Sequence, residues 1–324
     1  MSKETNKDKI KEITDKLEQG VRNLMDSDRY KNYLNVMSKF HKYSTNNVIL
    51  ISMQMPDATH VAGYKAWEKE FQRHVKKGEK AIRIIAPVIR RVKVNADDSK
   101  ASDTPEEEEV KLTSYRVTSV FDVSQTDGKE LPSIVEQLDF DLNNFELLKE
   151  SLERVSPVPV SYEAIEPRCN GYFDKKERNI VVREKMSQGQ TVKTLIHEIA
   201  HALLHDDLDL DKELKKDRFT KEVEAESVAY TVCQYLNLDT SDYSFGYVAG
   251  WSSGKDVKEL KGSLELIRKT ASTIITNLNK KLQEVKMEND FNEIVNEVYH
   301  EELVVSESDT HQEITYAAVG GRGR

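Results

Sequence analysis

The residues whose types and spacing could do chemistry lie in Thr194-Leu-Ile-His-Glu-Ile-Ala-His-Ala-Leu-Leu-His205. On a helix, His197 and His201 stand four residues apart, one turn above the other on the same face, where two imidazoles can grip one metal ion. Glu198 would then sit beside that metal. In a hydrolytic reading it is the catalytic residue, a general base that takes a proton from an activated water and hands it to a leaving amine. Leu195, Ile196, Ile199, Ala200, Ala202, Leu203 and Leu204 would bury this helix nearly all round. Without a metal, its buried His, Glu and His would lack partners at a cost of about a few kcal/mol, so the apolar context favours a metal site over a chance match.

A third ligand is required, and Lys221-Glu-Val-Glu-Ala-Glu-Ser-Val-Ala-Tyr230 offers Glu222, Glu224 and Glu226. Glu222 and Glu226 share a helix face with Ala225 and Ala229, whose small side chains would permit close approach to the motif helix. Glu222 is the expected ligand, with Glu226 orienting a ligand imidazole. The reverse assignment stays open, and Glu224 is the outsider. At least one of the three is expected on a solvated face near a helix start. Two imidazoles and a carboxylate favour Zn2+. His205 does not extend the motif into His-x-x-His-x-x-Gly-x-x-His, because Asp207 stands where the third histidine would be.

The elements that must position these groups belong to a chain of 324 residues, a length that predicts two domains. Net charge −9 with 32% charged residues describes an acidic, soluble protein. No run of about 18 apolar residues could span a membrane. The start, Met1-Ser-Lys-Glu-Thr-Asn-Lys-Asp-Lys9, lacks the apolar core of a signal peptide, so a cytoplasmic location is expected. Cys169 and Cys233 form no Cys-x-x-Cys pair and read as small buried residues of a reducing compartment.

Residues 5 to 25 and 28 to 40 read as amphipathic helices, and Tyr43-Ser-Thr-Asn-Asn47 as the start of a third, capped by Ser44 or Thr45. Between residues 60 and 94 the charge sign reverses. Lys65, Lys69, Arg73, Lys76, Lys77, Lys80, Arg83, Arg90, Arg91 and Lys93 face only Glu68, Glu70 and Glu79. Such a stretch is the electrostatic footprint expected for a polyanion. Tyr64, Trp67 and Phe71 are interleaved with it, and Phe40, His41 and Tyr43 lie upstream. Cations that track a backbone and aromatic faces that stack unpaired bases are what single-strand binding needs. The plain alternative makes Trp67 and Phe71 core residues and the lysines solvated surface. A strand is expected at 81–86, stopped by Pro87, then a charged loop at 95–110 and a second strand from about Val110 to Asp122. The domain boundary is placed at 124–140, giving domains at 1–130 and 140–288 and a poorly ordered tail at 289–324.

The second domain should open with a helix at 143–155 and a strand at 158–162. A hairpin of Tyr172-Phe173 with Asn179-Ile-Val-Val182 should follow, just before the motif helix. In zinc peptidases an edge strand in that place can pair with an extended substrate. Aromatic residues between 237 and 251 would wall the cleft, and residues 254 to 286 form a long helix packed through Leu260, Leu264, Ile267, Ala271, Ile274, Ile275, Leu278 and Leu282. The fold class is therefore α+β.

Tyr43-Ser-Thr-Asn-Asn, Pro56-Asp-Ala-Thr-His-Val-Ala-Gly-Tyr, Val75-Lys-Lys-Gly-Glu-Lys-Ala-Ile and Val120-Phe-Asp-Val-Ser-Gln-Thr resemble the N-terminal domain of ArdC/LtrC-type antirestriction proteins. Gly171-Tyr-Phe-Asp, the His197 to His205 stretch and Glu222-Val-Glu-Ala-Glu-Ser-Val-Ala-Tyr resemble the zincin-like metallopeptidase domain of the same proteins, which is also similar to ImmA/IrrE-type peptidases. The resemblance covers roughly residues 5 to 285. It implies single-stranded DNA as partner, with Tyr43, Asn46, Tyr64, Trp67, Arg73, Lys76, Lys77, Lys80 and Arg83 as the expected contacts. It also implies a mobile genetic element as the setting, a zinc site, and a protein or peptide as second partner. Two rival readings remain: a regulatory peptidase that cleaves a repressor, and a DNA-binding protein whose metal is structural.

Overall fold

The computed structural model describes residues 5–95, 107–131, 145–206, 216–284 and 287. The tail at 289–324 and most of the charged loop lie outside them. Three helices open the chain: α1 (Asn6–Asn23), α2 (Ser27–Lys39) and α3 (Thr45–Gln54). Thr5 and Asp8 close α1 with a capping box, while Asp26 and Ser44 cap the next two through side-chain oxygens on backbone N–H groups. Strands β1 (Val61–Gly63), β3 (Ile82–Asn95) and β4 (Glu107–Asp122) form an antiparallel sheet in the order β1-β4-β3. The short α4 (Tyr64–Lys69) follows β1, and β2 (Arg73–Val75) pairs with β5 (Thr126–Gly128) beyond the 3-10 turn Val123–Gln125.

Strand β3 does not stop at Pro87, and the reason is geometric. Asn47 on α3 exchanges two hydrogen bonds with the backbone of Ile85, and Gln54 does the same with Arg83, so two side-chain amides cover the free edge of β3. Residue 87 has the same parity as 83 and 85, so its nitrogen also points away from β4, and its missing N–H removes no ladder bond. The strands run on to pair Asn95 with Glu107, which shortens the expected loop at both ends. Residues 126–128, at the start of the expected boundary segment, pair with β2.

The second half contains α5 (Phe145–Val155) and a sheet in the order β6-β8-β7, with β6 (Val160–Glu163) parallel to β8 (Asn179–Arg183) and β7 (Gly171–Asp174) antiparallel at the edge. Helices α6 (Gln188–Leu204), α7 (Arg218–Tyr235) and α8 (Val248–Ser252) follow, and a ninth helix, α9, covers 257–284. All eight apolar positions expected on α9 are buried. The halves share one continuous apolar core. Tyr30 Oη meets Ser227 Oγ at 2.8 Å between α2 and α7. From α9, Arg268 donates to Thr45 Oγ1 at 3.1 Å and to the His41 carbonyl at 3.2 Å. Among the described residues no helix is long and apolar enough to cross a membrane.

Candidate metal centre

Helix α6 is capped by Ser187, whose hydroxyl accepts from the Gln190 N–H, and its apolar face packs Leu195, Ile196, Ile199 and Ala200 with no exposure. This seating turns His197 and His201 toward α7. Their Nε2 atoms are 3.0 Å apart, and Glu222 Oε2 lies 3.7 Å from the first and 3.6 Å from the second. Bonds of about 2.0–2.1 Å in a tetrahedral set put neighbouring donor atoms about 3.3–3.5 Å apart, so these three atoms fit one ion of zinc's size. They are the one such group among the described residues.

Each histidine is backed by a carboxylate, His197 directly and His201 through His205. Glu226 Oε2 stands 3.4 Å from His197 Nδ1, while His201 Nδ1 meets His205 Nδ1 at 3.0 Å, and His205 Nε2 meets Glu224 Oε2 at 3.0 Å. All three glutamates of α7 reach a histidine; Glu222, near the helix start, is also exposed, as expected for at least one of them. Burial alone would lower the His197 pKa, but Glu222 and Glu226 overcome it and raise it to about 10. Glu222 is held well below the usual carboxylate range by hydrogen bonding to His197 and His201.

Glu198 is 6% exposed. Burial pushes its pKa up to about 7; Glu222 adds to the rise, and His197 and the Phe173 backbone N–H oppose it. It sits in the wall shared by two cavities of about 300 and 560 Å3, with Gly171 and His197. The smaller is also lined by Gln190, Lys193, Asp242 and Tyr243, and the larger carries Tyr172, Phe173 and Arg218. A Cβ at Gly171 would fall 2.7 Å from Thr194 Cγ2 and 2.9 Å from the Val181 carbonyl, so glycine is what lets β7 lie this close to α6. Cys233 is buried as expected, whereas Cys169 is half-buried, lines the larger cavity and points its thiol to the Gly171 carbonyl.

In the first half the expected contacts divide. Trp67 is fully buried, donates to the Phe121 carbonyl at 2.9 Å and packs on Phe71 and His60, so it is a core residue and not a stacking platform. Arg73 turns its guanidinium onto Thr126, Gly128 and Lys129, which ties β2 to β5. Tyr43 is half-buried, with its hydroxyl on the Val61 carbonyl. Lys76 is half-buried, while Asn46, Tyr64, Lys77, Lys80 and Arg83 are exposed. Tyr115 and Arg116, read from the sequence as strand residues alone, also present exposed side chains from β4. Period-two patterning at 113–116 carried no signal for this, because both strand faces there are exposed.

Comparison with known proteins fits both halves. Residues 3–121 match the N-terminal domain of anti-restriction factor ArdC, and residues 158–244 match an IrrE N-terminal-like domain of a metallopeptidase family. The first half is thus similar to an ArdC-type domain and the second to an IrrE-like one. An uncharacterized Bacillus anthracis protein, pXO2-81, is 29% identical over 94% of this chain and 57% of its own length, so the chain spans little more than half of that relative. Crystal structures of the antirestriction ArdC protein from the R388 plasmid, metal-free and Mn(II)-bound, are 23% and 19% identical. Each superposes at a TM-score of 0.42 over 75% of this chain and 84% of that one.

Proposed function

We propose that this chain is an antirestriction protein of a mobile genetic element that binds single-stranded DNA through its first half and carries a zinc-dependent peptidase site in its second, the division falling at about 130–140. One observation carries the second part: His197, His201 and Glu222 converge on a point beside Glu198, in an open cleft next to the free edge of β7. A closed site would suit a structural metal, and a cleft with cavities on both sides suits a substrate. Zinc is the ion that the donor set favours, and when bound it would supply Lewis-acid polarisation and activation of water. The protein's own part falls to Glu198, whose carboxyl near neutrality is suited to take a proton and return it to a leaving amine. β7 offers backbone groups to an extended peptide. A second reading, prompted by the match of residues 158–244 to the IrrE-like family, is a regulatory peptidase that cleaves a repressor.

For DNA, the match of residues 3–121 supports the reading, with Tyr43, Asn46, Tyr64, Lys76, Lys77, Lys80 and Arg83 as contacts and Tyr115 and Arg116 added. The test uses the full chain, because α2 and α3 bury against α7 and α9. Single-stranded oligonucleotides should bind with an affinity that falls steeply with salt, and Lys77→Ala/Lys80→Ala should reduce the slope by about 1.4. Absence of binding at low salt refutes the DNA reading. Cleavage of peptide libraries by the zinc-loaded protein, lost in Glu198→Gln while zinc is retained, tests the peptidase.

A further inference from the structure

Behind His201 lies a buried set of polar groups that ligation itself does not use. His205, at the C-terminal cap of α6, is 2% exposed, and Glu224 has no exposure. Besides His205, Glu224 contacts Lys216 Nζ at 2.6 and 2.7 Å and Ser263 Oγ at 2.8 Å, so the carboxylate joins α6, α7 and α9.

Counting donors fixes where the protons go. An ammonium only donates and a carboxylate only accepts, so the Lys216 contact marks Glu224 as the ionised acceptor of the set. His205 Nε2 must then carry the proton shared with Glu224. A neutral imidazole has one ring proton, which leaves His205 Nδ1 as an acceptor facing His201 Nδ1 at 3.0 Å. His201 Nδ1 must therefore donate, and its Nε2 is left with a bare lone pair aimed at the point shared with His197 and Glu222. Working from the other end gives the same answer: a metal on His201 Nε2 forces the proton onto Nδ1, which then needs an acceptor.

Building on the metal-site reading above, we propose that His205 and Glu224 are positioning residues that lock His201 in the ligating tautomer and hold its ring toward the metal. The two ligand histidines are thus served differently. The partner of His197 is Glu226, whose side chain is 33% exposed in the cleft, whereas the partner of His201 is sealed in the core. Glutamine at 205 could accept from His201 and donate to Glu224, as histidine does; leucine could fill the space and do neither.

The test is zinc affinity by competition with a chromophoric chelator on full-length His205→Gln and His205→Leu. Outer partners of this kind typically contribute 10- to 100-fold in metal affinity. His205→Leu should weaken zinc binding by about that factor, and His205→Gln by no more than about threefold. Equal affinity of the two variants, whether both resemble the parent or both are weakened, overturns the proposal. Should either variant fail to fold, 1H–15N long-range correlation on the zinc-loaded parent decides. Protons on His201 Nδ1 and His205 Nε2 support it, and a proton on His205 Nδ1 refutes it. If the parent binds no zinc, the metal reading itself falls and this inference with it. If the parent binds and the variants match it, only the inference falls.

Discussion

Two aromatic residues three positions apart on α4 should respond to mutation in opposite ways. Trp67 has no exposure, and Tyr64 is 54% exposed. Trp67→Leu removes part of a large buried side chain and the donor on the Phe121 carbonyl. Full truncation of a buried tryptophan costs about 3–5 kcal/mol, and leucine should recover part of that, leaving a loss of about 2–3 kcal/mol. Tyr64→Ala touches a surface position and should change stability by no more than about 0.5 kcal/mol. For DNA the order reverses. Loss of a stacking face costs about 1–3 kcal/mol, or about 5- to 150-fold in affinity, and only Tyr64 has a face to offer. Thermal melts paired with fluorescence anisotropy on a labelled oligothymidylate, run at low salt and well below the lower melting temperature, separate the two. A Trp67→Leu protein that melts like the parent yet binds DNA more weakly would refute the assignment of Trp67 to the core.

The raised His197 pKa makes zinc binding pH-dependent in a stated direction. A group lifted from 6.5 to about 10 stabilises the metal-free fold fully below about 6.5, and that contribution is lost as pH rises through about 10. Zinc must displace the same proton, so chelator competition should give an affinity that climbs about tenfold per pH unit from 7 to 9; a plateau above pH 7 refutes it. Gly171→Ala should destabilise by about 1–3 kcal/mol, because its Cβ meets Thr194 and the Val181 carbonyl, and a melting temperature unchanged from the parent contradicts that packing. The shared core predicts a single calorimetric transition for the metal-free chain, with Arg268→Ala lowering it by about 1.5–3 kcal/mol through the contacts to Thr45 and His41. Two independent transitions would show that the halves unfold separately.

What the sequence made legible was whatever depends on one element at a time. His197, Glu198 and His201 stand out because a helix repeats every 3.6 residues, and the eight apolar positions of α9 emerge from the same period. Glu222 could be preferred for its spacing relative to Ala225 and Ala229. Contacts assembled from several elements stayed hidden. Glu224 looked like the outsider because its partners His205, Lys216 and Ser263 lie 19, 8 and 39 positions away. Trp67 and Phe71 could be read as platform or core, since i, i+4 spacing describes both, and only the packing of His60 and Phe121 decides. Pro87 looked like a stop because the rule against proline in strands concerns nitrogens that face a partner strand, and edge parity is a tertiary fact.

The same tertiary contacts bear on how the two proposed activities should be tested. Thr45, next to the exposed Asn46, is hydrogen-bonded to Arg268 and Glu265 of α9; two residues before Glu265, Ser263 donates to Glu224, which reaches His201 through His205. Helix α9 carries both the contacts to Thr45 and the contact to Glu224, and it is packed through buried residues on both sides of them, from Leu260, Leu264 and Ile267 to Ala271. Removing the second half to study DNA binding would strip α2 and α3 of the surface they bury, and a failure to bind would then report unfolding. Substitutions such as His205→Leu, made in the whole chain and read for both zinc and DNA affinity, avoid that confusion. A change confined to zinc means the relay serves the metal alone. A change in both means that α9 transmits the disturbance to the start of α3.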